Sequence, residues 1–148
     1  MKRSFYLPDE AATRALATRL ARALPKGAVL VLSGPLGAGK TTLVRYLAEA
    51  LGFTGRVTSP TYTLMHVYPT PEGPLLHADL YRLKDPAQAE ALGLFEEAEG
   101  ARLVAVEWGR LEDFPGALLV ELVPRSETAR EVRLKTEDPA LARAIARL

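Results

Sequence analysis

A short apolar run followed at once by a glycine-rich turn is the feature that most constrains the fold. Residues 28–32 read AVLVL, and residues 34–39 read GPLGAG. A continuous apolar run is typical of a strand buried on both faces, as in a parallel sheet. Glycines permit a tight turn, and the pattern after it predicts a helix from residue 40 to about residue 51. The segment therefore predicts a strand, a loop and a helix in that order.

The glycine-rich turn also carries a phosphate-binding signature. Residues 34–41, GPLGAGKT, match the pattern G-x-x-x-x-G-K-[ST] at every fixed position. Glycines let backbone N–H groups point at phosphate oxygens, and the helix N-terminus favours anions. In this pattern Lys40 reaches the β and γ phosphates, Thr41 binds Mg²⁺ and Thr42 can donate to the α-phosphate. The predicted nucleotide-binding residues here are Gly34, Pro35, Leu36, Gly37, Ala38, Gly39, Lys40, Thr41 and Thr42.

Two predicted strands end in an acidic residue, as the metal site beside a P-loop requires. The segment LLHAD ends at Asp79, and the segment LVAVE ends at Glu107. The second segment is the more apolar, so Glu107 is predicted to bind magnesium together with Thr41. Asp79 is predicted to act through water, either on the metal or on the attacking nucleophile. The predicted catalytic residues are Lys40, Asp79 and Glu107.

A threonine and a histidine nearby are weaker candidates. Thr61 follows the P-loop helix, where nucleotide switches place a loop threonine near the γ-phosphate, so it is a candidate nucleotide sensor. An ordinary Ser-Pro turn leading into a strand explains the same residues equally well. His77 alternates with Asp79 on one strand face, but a single histidine on a strand is more often a packing residue than a catalyst.

Two later segments supply the remaining candidates. Trp108, the only tryptophan, follows Glu107 on the opposite face of its strand, which by default predicts a core or interface residue. It is also a candidate for the nucleotide site. Arg125, Ser126 and Arg130 are predicted to lie in a loop between the last two strands. Arg130 is included among the nucleotide-binding candidates, although arginines in loops are usually solvated.

The composition excludes several other classes of chemistry. The chain of 148 residues has a net charge of +1, so nucleic-acid binding driven by counterion release is not expected. Because cysteine is absent, thiol nucleophiles and thiolate metal sites are excluded, which leaves oxygen-ligated metals. Asparagine is absent as well. The guanine-specific N-K-x-D motif is therefore impossible, which favours ATP over GTP.

The sequence predicts a cytoplasmic protein that does not associate with a membrane. Two basic residues near the N-terminus are followed by a proline and two acids, which does not match an export signal. The longest apolar run, residues 28–32, is far shorter than the roughly 20 residues that a membrane span needs.

Hydrophobic periodicity completes an outline of the fold. Asp9 is expected to cap a helix, and strands over residues 62–68 and 75–81 are expected to form a hairpin. The other expected elements are strands over 4–7, 103–106, 117–123 and 131–134, and helices over 86–98, interrupted at Gly93, and over 139–148. Strands alternating with helices predict one α/β domain over residues 1–148 with a P-loop NTPase fold. Its central sheet is predicted to be mixed, mainly parallel and flanked by helices.

Four motifs together resemble the TsaE (YjeE) family, the small P-loop ATPases of bacterial tRNA threonylcarbamoyladenosine synthesis. The P-loop is the first motif, and the others are TSPTY at 58–62, HADLYR at 77–82 and VEWG at 106–109. They occur in the family's order, and the resemblance covers nearly the whole chain. Pro35 stands where a common family P-loop has an acidic residue, at a position whose side chain does not contact the nucleotide.

The resemblance implies a slow ATPase that acts on other proteins. It implies ATP and Mg²⁺ as cofactors, with Lys40 at the phosphates, Thr41 and Glu107 at magnesium, and functional roles for Asp79 and Trp108. It also implies two protein partners, TsaB and TsaD, of which TsaD transfers threonylcarbamoyl to adenosine 37 of tRNA. The family uses ATP to reset or remodel that complex, so tRNA is involved only indirectly.

Two other functions remain open from the sequence. A small-molecule kinase shares the P-loop, but it usually needs a lid with several arginines, and residues 84–100 carry one basic residue. A nucleotide-gated interaction module that does not hydrolyse ATP would use the same binding residues. Single-turnover ATP hydrolysis with and without partners distinguishes the three functions.

Overall fold

The computed structural model describes residues 1–57, 65–81 and 93–148. The strands are β1 (Lys2–Leu7), β2 (Ala28–Ser33), β3 (Met65–Tyr68), β4 (Leu75–Asp79), β5 (Leu103–Glu107), β6 (Leu118–Pro124) and β7 (Arg130–Lys135). The helices are α1 (Glu10–Ala23), α2 (Lys40–Ala50), α3 (Leu94–Ala98) and α4 (Pro139–Ala146), with a 3₁₀ turn at Leu111–Asp113.

Within these residues the strands form one seven-stranded sheet in the order β1-β7-β6-β2-β5-β4-β3. The four central strands, β6, β2, β5 and β4, run parallel to one another. Both margins are antiparallel, with the β3–β4 pair on one side and β6, β7 and β1 on the other. The predicted fold class is confirmed, and the antiparallel pairs lie outside the parallel centre.

Strand register brings the predicted site residues to one edge of the sheet. Leu32, the residue before the end of β2, pairs with Glu107 of β5. Asp79 of β4 pairs with Glu107 from the other side. Because parallel strands end at the same edge, the turn after β2 and the two acids lie together.

Helices cover the two faces of the sheet unequally. The larger core packs α1, α2 and α4 against one face, with Leu16, Leu43 and Leu141 among its buried residues. The smaller core covers the other face with α3 and the segment around Phe114. The larger core therefore includes α2, the helix that follows the P-loop.

Capping and turn residues explain where several elements begin and end. The Asp9 side chain accepts a hydrogen bond from the Ala12 N–H at 2.9 Å, which confirms the predicted cap of α1. The β4 strand ends at Asp79, two residues earlier than predicted, because the Asp79 carboxylate accepts a hydrogen bond from the Tyr81 N–H and forms a turn. Gly93, with φ of +79°, precedes α3.

Some predictions concern residues that the structure does not describe. The predicted strand over 62–68 corresponds to β3 from residue 65 onward, and residues 62–64 lie outside the described ranges. Residues 86–92 of the predicted helical segment also lie outside them. Among the described residues, no helix is long and apolar enough to cross a membrane.

Candidate nucleotide-binding site

The turn between β2 and α2 depends on a close backbone approach at Gly34. Its φ is +150°, and a Cβ added there would lie 2.7 Å from the backbone oxygen of Leu122 on β6. Any side chain at this position would push the turn away from the sheet. The turn is closed by a hydrogen bond from the Ala38 N–H to the Pro35 carbonyl at 3.0 Å.

The start of α2 faces a pocket and has no side-chain cap. Its N-cap is Gly39, in the left-handed region with φ of +101°. Backbone N–H groups in the first turn of a helix lack intrahelical partners, and they attract anions. The adjoining pocket has a volume of about 260 Å³. Its lining residues are Leu36, Gly37, Gly39, Lys40, Thr41, Thr42, Asp79, Glu107 and Trp108.

The remaining P-loop residues lie beside this pocket. Gly34 and Pro35 line a neighbouring pocket of about 410 Å³, which also includes Trp108. Ala38 is buried, with an exposed fraction of 2%. The predicted P-loop residues thus form one continuous turn around the N-terminus of α2.

Lys40 is held inside the turn. Its exposed fraction is only 5%, although it is the first residue of α2. The ammonium donates to the Gly34 carbonyl at 2.7 Å and lies 3.6 Å from the centre of the Trp108 ring. Burial lowers the pKa of Lys40, and the carboxylates of Glu107 and Asp79 oppose that shift.

Thr41 and Glu107, the two residues predicted to bind magnesium, lie within hydrogen-bond distance of each other. The Thr41 hydroxyl donates to Glu107 Oε2 at 3.3 Å across the gap between α2 and β5. The Glu107 side chain is 5% exposed, whereas Asp79 is partly exposed at the end of the neighbouring strand. A hydroxyl and two carboxylates form an all-oxygen set, which suits a hard divalent cation.

Trp108 is not the core residue that strand alternation predicts by default. Its φ of +61° is left-handed, so the regular alternation ends at Glu107. The indole is 37% exposed, stacks on the Lys40 ammonium and lies 5.0 Å from the Tyr81 ring, centre to centre. The backbone at this position thus brings the indole to the mouth of the pocket.

Arg130 contacts the backbone of the P-loop from strand β7. It is the first residue of β7 and not a loop residue, which corrects the prediction. Its Nη1 donates to the Ala38 carbonyl at 2.9 Å, and a Cβ on Gly39 would lie 1.7 Å from the same nitrogen. The described contact is therefore with the protein backbone, at the peptide that joins Ala38 to Gly39.

The other two candidates of the same segment make local contacts. Arg125 pairs with Glu131, and the Ser126 hydroxyl accepts a hydrogen bond from the Ala129 N–H at 3.0 Å. Thr61 and the rest of the TSPTY motif lie outside the described residues, as does Arg82 at the end of the HADLYR motif. Their predicted roles stay predictions.

Sequence reasoning did not predict the contact made by His77. The imidazole is fully buried, and Nε2 is hydrogen-bonded to the Glu107 carboxylate. Strand alternation places His77 on the same face as Asp79, but the acid that it contacts is Glu107 on the neighbouring strand. The partner could not be chosen without the pairing of β4 with β5.

Replacing Gly34 with alanine is expected to destabilise the fold by about 2–4 kcal/mol, because the new methyl group meets a backbone oxygen that cannot move away. Gly37→Ala is the matched control: Gly37 also has a positive φ, of +79°, but a Cβ there meets nothing within 4 Å. It should cost about 1–2 kcal/mol from backbone strain alone. Denaturant unfolding measures both values. Equal losses would contradict the close approach at Gly34.

Comparison with known proteins agrees with this geometry. A family model described as threonylcarbamoyl adenosine biosynthesis protein TsaE matches residues 7–143. The Bacillus subtilis tRNA threonylcarbamoyladenosine biosynthesis protein TsaE is 41% identical over 128 residues, covering 84% of this chain and 78% of that protein. The Aquifex aeolicus protein of the same name is 41% identical over 130 residues, covering 86% and 92%.

A solved structure extends the similarity to the fold. The crystal structure of Bacillus subtilis YdiB aligns with a TM-score of 0.83 and 29% sequence identity. The alignment covers 99% of this chain and 93% of that one. The chain belongs to the TsaE family of tRNA threonylcarbamoyladenosine biosynthesis proteins.

Proposed function

We propose that this protein binds Mg²⁺-ATP at the P-loop and hydrolyses it slowly to support the TsaB–TsaD complex in tRNA threonylcarbamoyladenosine synthesis. One observation carries the proposal: the uncapped start of α2, the Lys40 ammonium and the Thr41–Glu107 pair all border one pocket. The place of the family in the tRNA modification pathway is shown by its relatives.

The residues at the pocket fit a magnesium nucleotide. Thr41 and Glu107 supply oxygen atoms that would hold Mg²⁺, and the Asp79 carboxylate lines the same pocket. When bound, the metal would neutralise charge on the β and γ phosphate oxygens. The first-turn N–H groups of α2 would bind phosphate without any side-chain competitor from Gly39.

Lys40 and Asp79 then have separate tasks. Lys40 is a compact charge that already lies within the turn, so it can bind phosphate oxygens with little loss of side-chain freedom. Asp79 borders the pocket opposite α2 and is partly exposed, which suits a group that orients a water molecule. We assign Asp79 to that task and Glu107 to the metal.

Exposed apolar side chains at the pocket mouth support a role with protein partners. Leu36 is 78% exposed at the tip of the P-loop, and Tyr81 is 62% exposed beside Trp108. Clustered apolar side chains at a surface are typical of interaction sites. A partner that covers this mouth would be sensitive to the nucleotide beneath it, as expected for an ATPase that acts on a complex.

Mg²⁺-ATP should raise the melting temperature of the isolated protein. A ligand at a hundred times its dissociation constant adds about 2.7 kcal/mol to the free energy of unfolding. Thr41→Val and Glu107→Gln should each reduce the part of the shift that depends on Mg²⁺. The first removes the hydroxyl and the second removes the negative charge, and both keep the shape of the side chain. Thermal unfolding with ATP in EDTA and in Mg²⁺ measures that part directly.

Thr18→Ala is a suitable control for this experiment. Thr18 is a partly exposed residue of α1, and its hydroxyl donates to the Arg14 carbonyl, away from the pocket. The Mg²⁺-dependent shift should persist in this variant. Absence of any ATP-induced shift in the unmodified protein would contradict nucleotide binding. If Glu107→Gln keeps the Mg²⁺-dependent shift and Asp79→Asn loses it, Asp79 and not Glu107 binds the metal.

A further inference from the structure

His77 and Glu107 make a buried polar contact beside the pocket that the proposed function does not use. His77 has an exposed fraction of 0% and the Glu107 side chain one of 5%. They lie on the neighbouring strands β4 and β5, where His77 pairs with Ala105, two residues before Glu107. Both side chains therefore lie on the face that carries α2.

The hydrogen bonds around the Glu107 carboxylate converge on one atom. The His77 Nε2–H donates to Oε2, and the Thr41 hydroxyl donates to the same oxygen. A glutamate side chain has three rotatable bonds, so a carboxylate at its end needs such contacts to keep one position. The imidazole is fixed by the surrounding core and therefore supplies a rigid donor.

Packing alone does not explain a histidine at this position. The Nδ1 atom of His77 is buried and has no hydrogen-bond partner within the described parts of the chain. An apolar side chain would fill similar space without leaving a buried polar atom unpaired, which is costly. The contact of Nε2 with Glu107 is the interaction that accounts for the residue.

We propose that His77 is a positioning residue that holds the Glu107 carboxylate beside Thr41 and so sets the affinity of the nucleotide complex for Mg²⁺. The inference rests on the proposed function, because it concerns the same pocket. His77 acts through Glu107 and does not itself touch metal or nucleotide. Mutating a residue that hydrogen-bonds to a metal ligand commonly lowers metal affinity by roughly ten- to a hundredfold.

Two substitutions separate the hydrogen bond from the packing. His77→Gln keeps an N–H donor at a similar distance from the backbone, whereas His77→Leu fills the space without a donor. The measurement is the ratio of ATP affinities with Mg²⁺ and with EDTA, determined by calorimetry for each variant. We expect His77→Leu to lower this ratio at least about tenfold and His77→Gln to recover most of the loss.

His66→Leu is the matched control, because His66 is the only other histidine and lies on the edge strand β3, where it contacts Tyr68. Its ratio should stay within about twofold of the unmodified protein. In a Glu107→Gln background, His77→Leu should have no further effect on the ratio, since both changes act on one interaction.

The outcomes distinguish this inference from the proposed function. If the unmodified protein binds ATP with no dependence on Mg²⁺, the metal site and this inference both fail. If the unmodified ratio is large and His77→Leu keeps it, the inference alone fails. Equal losses in His77→Gln and His77→Leu, or an additive effect in the Glu107→Gln background, would show that His77 is a packing residue.

Discussion

Replacing Lys40 with alanine is expected to lower the rate of ATP hydrolysis at least about a hundredfold, the usual cost of losing a charge-stabilising group. The ammonium is the positive group in the turn, and it already lies at the Gly34 carbonyl, 2.7 Å away. No other lysine or arginine lines the pocket among the described residues. Steady-state hydrolysis of ATP by purified variants measures the effect.

The fold should survive this substitution. The contacts that are lost are one hydrogen bond and the stacking on Trp108, worth together about 1–3 kcal/mol. Lys40→Met is a control that keeps the aliphatic chain and removes the charge. It should be as inactive as Lys40→Ala and closer to the unmodified protein in melting temperature. Unchanged hydrolysis in Lys40→Ala would refute the P-loop assignment, and a collapsed melting temperature would make Lys40 structural.

Addition of the TsaB–TsaD complex is expected to accelerate ATP hydrolysis strongly. Where an arginine supplied to the γ-phosphate has been measured, it raises kcat by factors of roughly 10³ to 10⁵. Among the described residues no arginine lines the pocket formed by Lys40, Thr41 and Glu107, so the isolated protein should be slow. Hydrolysis at equal protein concentration, with and without the complex, measures the acceleration.

Arg82, at the end of the HADLYR motif, is the residue of this chain that we propose takes part in the acceleration by the partners. Arg82→Ala should reduce partner-dependent hydrolysis more than ATP affinity. Arg14→Ala is the control, because Arg14 is an exposed residue of α1 that pairs with Glu49 away from the pocket. It should hydrolyse ATP at the unmodified rate. Rapid hydrolysis by the isolated chain would favour a self-sufficient ATPase or a kinase.

The P-loop and its neighbouring acids could be predicted because local patterns determine them. The apolar strand, the glycines and the helix start are consecutive in sequence, and each has a direct physical meaning at its position. Glu107 and Asp79 were identified as strand ends, and parallel pairing then places both at the same edge. The fold class followed from the same alternation of strands and helices.

Other features depend on pairings that the sequence does not specify. Arg130 reaches Ala38 because β7 is antiparallel to β6, which lies next to β2. The indole of Trp108 reaches Lys40 through a left-handed backbone, which period-two alternation cannot predict for a residue other than glycine. His77 finds Glu107 through the register of β4 with β5. In each case the contact partner of the side chain depends on tertiary structure and cannot be chosen from the local sequence.

We have proposed that ATP hydrolysis at this pocket supports tRNA modification by the TsaB–TsaD complex. The most direct test reconstitutes the complex with tRNA and a threonylcarbamoyl donor, and measures ATP hydrolysis and modified tRNA in the same reaction. The expected result is that the unmodified chain stimulates repeated rounds of modification while consuming ATP, and that Lys40→Ala loses both. Sustained modification with Lys40→Ala, at the rate of the unmodified chain, would contradict it.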